Sequence, residues 1–285
     1  MRARLTLYAQ LMRLDRPIGI YLLLWPTLWA LWFAADGMPQ IANISIFTLG
    51  VILMRSAGCV INDYADRHLD KHVERTQYRP LTTGRVSETE AISLFIFLVT
   101  LSFLLVLLTN ATTVYLSVGG LLLASTYPFM KRYTYLPQVV LGAAFAWAIP
   151  MAYAAEANEI TTMTWLLYTA TVLWTVAYDT MYAMVDRDDD LRVGIKSTAI
   201  LFGSADKAMI GILQSMTIIT LLMAGMKSQF GLLYYASIII AAGFFVYQQH
   251  LIRNRERQAC FDAFLNNHWV GMTVFFGILL DRLFF

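Results

Sequence analysis

Eight of the thirteen aspartates in this chain fall in two short stretches. The first reads Asn62-Asp63-Tyr64-Ala65-Asp66-Arg67-His68-Leu69-Asp70. Its acids, at i, i+3 and i+7, share one face of a helix. The second runs from Tyr178 to Asp190, and Asp179, Asp186 and Asp190 again share one face at i, i+7 and i+11. In each stretch the last pair, Asp66/Asp70 and Asp186/Asp190, is four residues apart. Like charges at that spacing repel, so local helix stability does not explain the arrangement. A divalent cation does. Magnesium takes one or two carboxylates per ion and completes its octahedron with phosphate oxygens and water. Two facing carboxylate clusters therefore suit a magnesium-bound diphosphate. Solvated surface charge accounts for Asp188 and Asp189, but poorly for Asp179, an acid inside a long apolar run where ionisable groups are costly.

Basic residues near these acids supply the rest of a site. Arg55 lies eleven residues before Asp66, which places it about 20° around the same helix face and roughly 16 Å deeper. It either snorkels to the interface or serves a buried anion. Lys131 and Arg132 follow Tyr127-Pro128 at a helix end, and Arg16 precedes Pro17. For these three, anchoring at the membrane surface competes with substrate contact. His68, alone among acids, reads more readily as a solvated side chain than as a ligand. Most of the seven tryptophans and fifteen tyrosines belong at interfaces or in packing, and a few could line a channel for a cation or an aromatic ring.

The elements that position these residues are membrane helices. Of 285 residues, 58% are hydrophobic and 14% charged, whereas a globular protein carries roughly a quarter charged residues. That composition excludes a soluble enzyme, a disordered chain and a disulfide-rich secreted scaffold. Cys59 and Cys260 sit in apolar sequence and suggest no bridge. Nine apolar runs recur, at 18–35, 41–61, 91–109, 112–130, 136–155, 162–185, 207–226, 230–249 and 268–284. Each is near the roughly 20 residues that span a bilayer as a helix. Lipid forbids open backbone, and the alternation of a membrane β-barrel is absent. The expected fold is therefore all-α: one polytopic domain over 1–285, with long loops at about 62–90 and 186–206 capping the site.

Charge sets the orientation. With the N-terminus in the cytoplasm, eighteen of the 21 Lys and Arg residues fall on that side. They are Arg2, Arg4, Arg13, Arg16, Arg67, Lys71, Arg75, Arg79, Arg85, Lys131, Arg132, Arg187, Arg192, Lys196, Lys207, Arg253, Arg255 and Arg257. Only Lys227 and Arg282 fall outside, and Arg55 lies within a span. An odd number of spans follows, with the C-terminus out. A signal peptide ending near Ala34-Ala35 is disfavoured by the seventeen residues, four of them arginines, that precede the first run.

The paired motifs, Asn62-Asp63-x-x-Asp66-x-x-x-Asp70 and Tyr178-Asp179-x-x-Tyr182-x-x-x-Asp186-x-x-x-Asp190, resemble those of UbiA-type intramembrane aromatic prenyltransferases. The likeness is greatest to the bacterial members that act on 4-hydroxybenzoate in ubiquinone biosynthesis. Arg13-Leu14-Asp15-Arg16-Pro17-Ile18-Gly19, Arg79-Pro80-Leu81, Tyr127 to Arg132, and Gly194 to Ala199 carry it further, so that it spans about residues 13–205. The resemblance implies nine helices around a central cavity open to lipid, in a bacterial inner membrane. It also implies magnesium-dependent transfer of a prenyl group from polyprenyl diphosphate to the ring carbon ortho to the hydroxyl of 4-hydroxybenzoate. Asp63, Asp66, Asp70, Asp186 and Asp190 would hold the metal. Arg67, Lys131 and Arg132 would contact phosphate oxygens, with Asn62 as an amide partner, and Tyr127, Tyr178 and Lys196 join the substrate-binding set. Asp179, deeper, would stabilise the allylic cation or take the ring proton, and Arg55 or Arg16 would fix the acceptor carboxylate. Membrane lipid is an expected partner and nucleic acid is not. Relatives acting on haem, chlorophyll or menaquinone precursors would share the aspartates. A cation-coupled transporter would instead place its acids near the bilayer midplane.

Overall fold

The computed structural model describes residues 2–35, 37–68, 70–72 and 76–284. Two residues used above, Leu69 and Arg75, lie outside that set. Helices account for most of it, and no strand occurs among the described residues. In chain order they are α1 (Arg2–Leu11), α2 (Ile18–Ala34), α3 (Ile41–Asp66), α4 (Glu88–Val106), α5 (Ala111–Met130) and α6 (Pro137–Ala146). There follow α7 (Ala148–Ala157), α8 (Thr162–Val193), α9 (Thr198–Phe202), α10 (Asp206–Lys227), α11 (Leu232–Leu251) and α12 (Arg257–Phe284).

Each expected apolar run lies largely within helix, but several bounds differ for physical reasons. The run at 136–155 is two helices that meet at Trp147. Pro150, three residues beyond the break, has no N–H to donate back to the preceding turn. The sixth run does not end at 185. α8 continues to Val193 and stops where Gly194 takes φ +78° and its N–H donates to the carbonyl of Asp190. That left-handed end is glycine's usual role at a helix C-terminus. Much of the stretch read as the loop 186–206 is therefore helical. Seven of the described segments are long and apolar enough to cross a membrane, and α2 is a shorter apolar helix.

Polar caps fix helix starts where the chain leaves the apolar layer. The Ser87 hydroxyl accepts from the Glu90 N–H while the Glu90 carboxylate accepts from the Ser87 N–H, a reciprocal pair at the start of α4. Asn110 caps α5 in the same sense through its side chain.

Neighbouring helices close a ring in which α2 packs on α3, α7 and α12, α8 on α6, α10 and α12, and α11 on α10 and α12. Trp29, Trp174, Tyr178, Met181 and Tyr234 are fully buried in the core between them. The outer faces are apolar as well. Tyr115, Leu122, Ile239, Ile240 and Val246 are among the exposed large side chains, and apolar surface on this scale is not tolerated by a soluble monomer. The chain is a multi-pass membrane protein. Beside the ring, α1 packs on α3 and α4 through Leu11, Ala57, Val60 and Ala91.

Candidate active site

α3 carries an ordered set of chemistries along its length. Ile46, Phe47, Gly50, Val51 and Met54 form one wall of a cavity of about 470 Å³. Phe103 and Val106 of α4, Leu121 and Tyr127 of α5, and Phe145, Trp147 and Met151 line it further. The cavity thus lies among α2 to α7. Further along α3 come Arg55, Gly58, Asn62, Asp63 and finally Asp66, where the helix ends. An apolar wall, a cation and an acidic end follow one another on a single element.

The first cluster is brought together, though not on one helix face. α3 stops at Asp66, and Asp70 opens a short 3-10 turn. Repulsion between acids four apart opposes continuing the helix. Leaving it lets Arg79 Nη1 bridge Asp63 Oδ1 at 2.9 Å and Asp70 Oδ2 at 2.8 Å. Arg13 Nη2 donates to both Asp63 oxygens at 3.0 Å. Lys131 Nζ donates to Asp66 Oδ2, and Arg132 Nη2 reaches Asp66 Oδ1 only at 3.9 Å. Asp63, Asp66 and Asp70 are all buried. Bare carboxylates there would be far too costly, and these cations offset the desolvation.

Asp179, Asp186 and Asp190 lie on α8, as their spacing predicts. Asp190 is buried and Asp179 and Asp186 half-buried. Two links join this cluster to the first. Tyr127 lies within electrostatic reach of Arg55, Asp66 and Asp179 together. Lys131, which holds Asp66, also accepts the backbone N–H of Lys196 through its carbonyl at 3.0 Å.

A hard divalent cation fits this donor set. Asp66 Oδ1 is buried without a hydrogen-bond partner, a costly state that a metal bond would relieve. Among the described residues no three acidic, histidine or cysteine side chains form a closed metal site by themselves. Carboxylates turned toward Arg13, Arg79 and Lys131 give that result, and an ion completed by phosphate and water needs no closed protein cage.

Several expected contacts are placed elsewhere. Arg67 turns outward, pairing with Glu88 at 2.9 Å and lying 4.4 Å over the Tyr64 ring. Lys196 Nζ donates to the Tyr133 carbonyl at 3.3 Å and lies over the Tyr135 ring. Arg16 is exposed in the turn before α2, and Asn62 is half-buried beside Asp63. Tyr178 packs in the aromatic core against Trp174 and Phe264, while Tyr127 donates to the Gly58 carbonyl at 3.3 Å. Asp189, read as solvated charge, is buried and within 3.4 Å of Arg257. Arg13 and Arg79, counted only as surface charge and as motif residues, hold the carboxylates. Their place in two short Arg-containing motifs was the only signal for this.

Arg55 does lie in the apolar layer. Its Nη1 donates to Cys59 Sγ at 3.0 Å, its guanidinium carbon sits 5.5 Å from the Phe145 ring centre, and its Nε is buried with no hydrogen-bond partner. None of the described carboxylates pairs with it. A half-buried cation with a buried, unpartnered Nε has a charge that an anion would offset.

Residues 23–275 match the UbiA prenyltransferase family. The chain is 65% identical over 283 residues to the 4-hydroxybenzoate octaprenyltransferase of Hahella chejuensis, covering 99% of this chain and 94% of that protein. A solved UbiA homolog from Aeropyrum pernix K1 superposes with a TM-score of 0.80 at 25% identity, over 92% of this chain and 97% of that one. A second, from Archaeoglobus fulgidus and bound to GPP and Mg2+, gives a TM-score of 0.72 at 16% identity, over 96% and 99%. The acids, the cavity and these likenesses agree: the chain belongs to the UbiA prenyltransferase family.

Proposed function

We propose that this protein transfers a polyprenyl group from polyprenyl diphosphate to the ring carbon ortho to the hydroxyl of 4-hydroxybenzoate, releasing diphosphate, in a magnesium-dependent step of ubiquinone biosynthesis. The observation that carries this reading is the order of chemistries on α3, where an apolar wall leads through Arg55 to buried aspartates. A diphosphate with a long hydrocarbon tail has the same division. The name of the Hahella relative supports the acceptor, and the GPP and Mg2+ of the Archaeoglobus structure support the donor and the ion.

Asp63, Asp66, Asp70, Asp186 and Asp190 would hold magnesium. When bound, it neutralises the diphosphate and makes it a leaving group. Lys131 and Arg132, now on Asp66 and its neighbour's carbonyl, are long enough to pass to phosphate oxygens, with Asn62 as an amide partner. The apolar cavity takes the prenyl chain and keeps water from the allylic cation. Tyr127, which lines that cavity, presents an aromatic group toward it, and Tyr178 backs the site from the aromatic core. Asp179 stabilises the cation or accepts the ring proton that is lost as aromaticity returns. Arg55 takes the acceptor carboxylate, whose negative charge its half-buried guanidinium lacks.

The topology belongs to the same proposal. Nine segments cross the inner membrane of a bacterium, formed by α2, α3, α4, α5, α6 with α7, α8, α10, α11 and α12. The N-terminus and both acidic clusters face the cytoplasm and the C-terminus the periplasm. Purified enzyme in lipid, given magnesium, a polyprenyl diphosphate and a panel of aromatic acceptors, tests the reading. The expected product is 3-polyprenyl-4-hydroxybenzoate. Prenylation of a different acceptor in preference would overturn it.

A further inference from the structure

Gly19 is the second residue of α2 and is buried. A Cβ built there would lie 2.2 Å from Arg55 Nε, 2.5 Å from Nη2 and 2.7 Å from the guanidinium carbon. No real side chain tolerates such distances, so the guanidinium rests in space that only glycine leaves open. Its hydrogen-bond partner and its ring contact are neutral: Cys59 Sγ at 3.0 Å and the Phe145 ring at 5.5 Å. Of the three, Gly19 alone acts by what it omits.

We propose that Gly19 is a positioning residue whose missing side chain seats the Arg55 guanidinium, and through it sets the orientation of the acceptor carboxylate. The proposal rests on the reading of Arg55 as the acceptor's cation. The atoms in the way belong to the flexible end of a long side chain, so an added methyl group displaces the guanidinium without breaking the helix contact. Alanine is also a better helix former than glycine, which leaves α2 intact. The cost falls on orientation, which a bidentate arginine-carboxylate contact demands.

The test compares the parent, Gly19→Ala, Arg55→Ala and the double variant, purified in lipid with magnesium. Michaelis constants are measured separately for 4-hydroxybenzoate and for polyprenyl diphosphate. Gly19→Ala should raise the acceptor KM roughly tenfold, as expected for one weakened charge-assisted contact, and leave the prenyl diphosphate KM unchanged. The double variant should be no worse than Arg55→Ala alone, since both act through one group. If Arg55→Ala raises the acceptor KM and Gly19→Ala does not, or if Gly19→Ala raises both constants equally, the positioning role is wrong while the reading of Arg55 stands. If Arg55→Ala itself leaves the acceptor KM unchanged, the reading of Arg55 fails, and the role of Gly19 with it.

Discussion

Lys131, just past the end of α5, donates to one carboxylate oxygen of Asp66 and leaves the other buried without a hydrogen-bond partner. A carboxylate in this state is satisfied on one side only. The ion pair offsets much of the cost of burial, and the remaining oxygen is the place a metal bond would most relieve.

Lys131 and Arg67 should therefore behave differently, although both were expected at the diphosphate. Lys131→Ala removes a cation from the buried acids and should lower kcat/KM for the prenyl diphosphate by tenfold or more, on the order of one charge-assisted contact. Arg67→Ala removes a half-exposed pair with Glu88 and contacts with Tyr64 and should stay within roughly threefold of the parent. Equal, large losses in both would place Arg67 at the diphosphate after all.

Arg13 ties the segment before α2 to α3 through its two bonds to Asp63. Arg13→Ala leaves Asp63 with Arg79 as its remaining strong cation, so the expected loss of stability is about 2 kcal/mol. A lowered unfolding midpoint in detergent would register it. An unchanged midpoint would mean that Arg79 alone suffices.

At the start of α10, Asp206 is fully buried and accepts three hydrogen bonds from Arg255, at 2.7, 2.8 and 3.2 Å. The hydrogen bonds to Asp206 raise the pKa of Arg255 above its ordinary value, so the guanidinium stays charged. Arg255→Ala strands the buried charge and should cost about 3 kcal/mol, read as a fall in thermal stability. Asp206→Asn combined with it should recover part of that loss. A double variant as unstable as the single would contradict the pairing argument.

Orientation is open to labelling. Ser228 follows α10, on the face proposed to be periplasmic. Ser228→Cys should react with an impermeant thiol reagent in intact cells, whereas a cysteine in the 76–87 segment should not. Protection of Ser228→Cys would reverse the charge argument.

The sequence makes the helical character legible because apolar runs and charge asymmetry are properties of single segments. The α8 cluster is legible for the same reason, since Asp179, Asp186 and Asp190 are spaced along one continuous helix. The first cluster is not, because Asp70 is placed by Arg79 across a turn that helical spacing cannot describe. The roles of Arg13 and Arg79 were hidden likewise. A long arginine reaches its partner through tertiary packing, and Arg13 and Asp63 are fifty residues apart. Arg67, adjacent to the acids in sequence, points away because a helix end turns neighbouring side chains in different directions.

The central claim is that acids of α3 and α8 act together on a magnesium-bound diphosphate. The most direct measurement is the magnesium dependence of prenyl transfer by purified Asp66→Asn and Asp186→Asn, beside the parent, with folding checked by elution and thermal unfolding. Each variant loses a carboxylate charge, so each should lose turnover by a factor on the order of a hundred or more and require more magnesium for what remains. Near-normal turnover, with an unshifted magnesium requirement, in either variant would contradict the account.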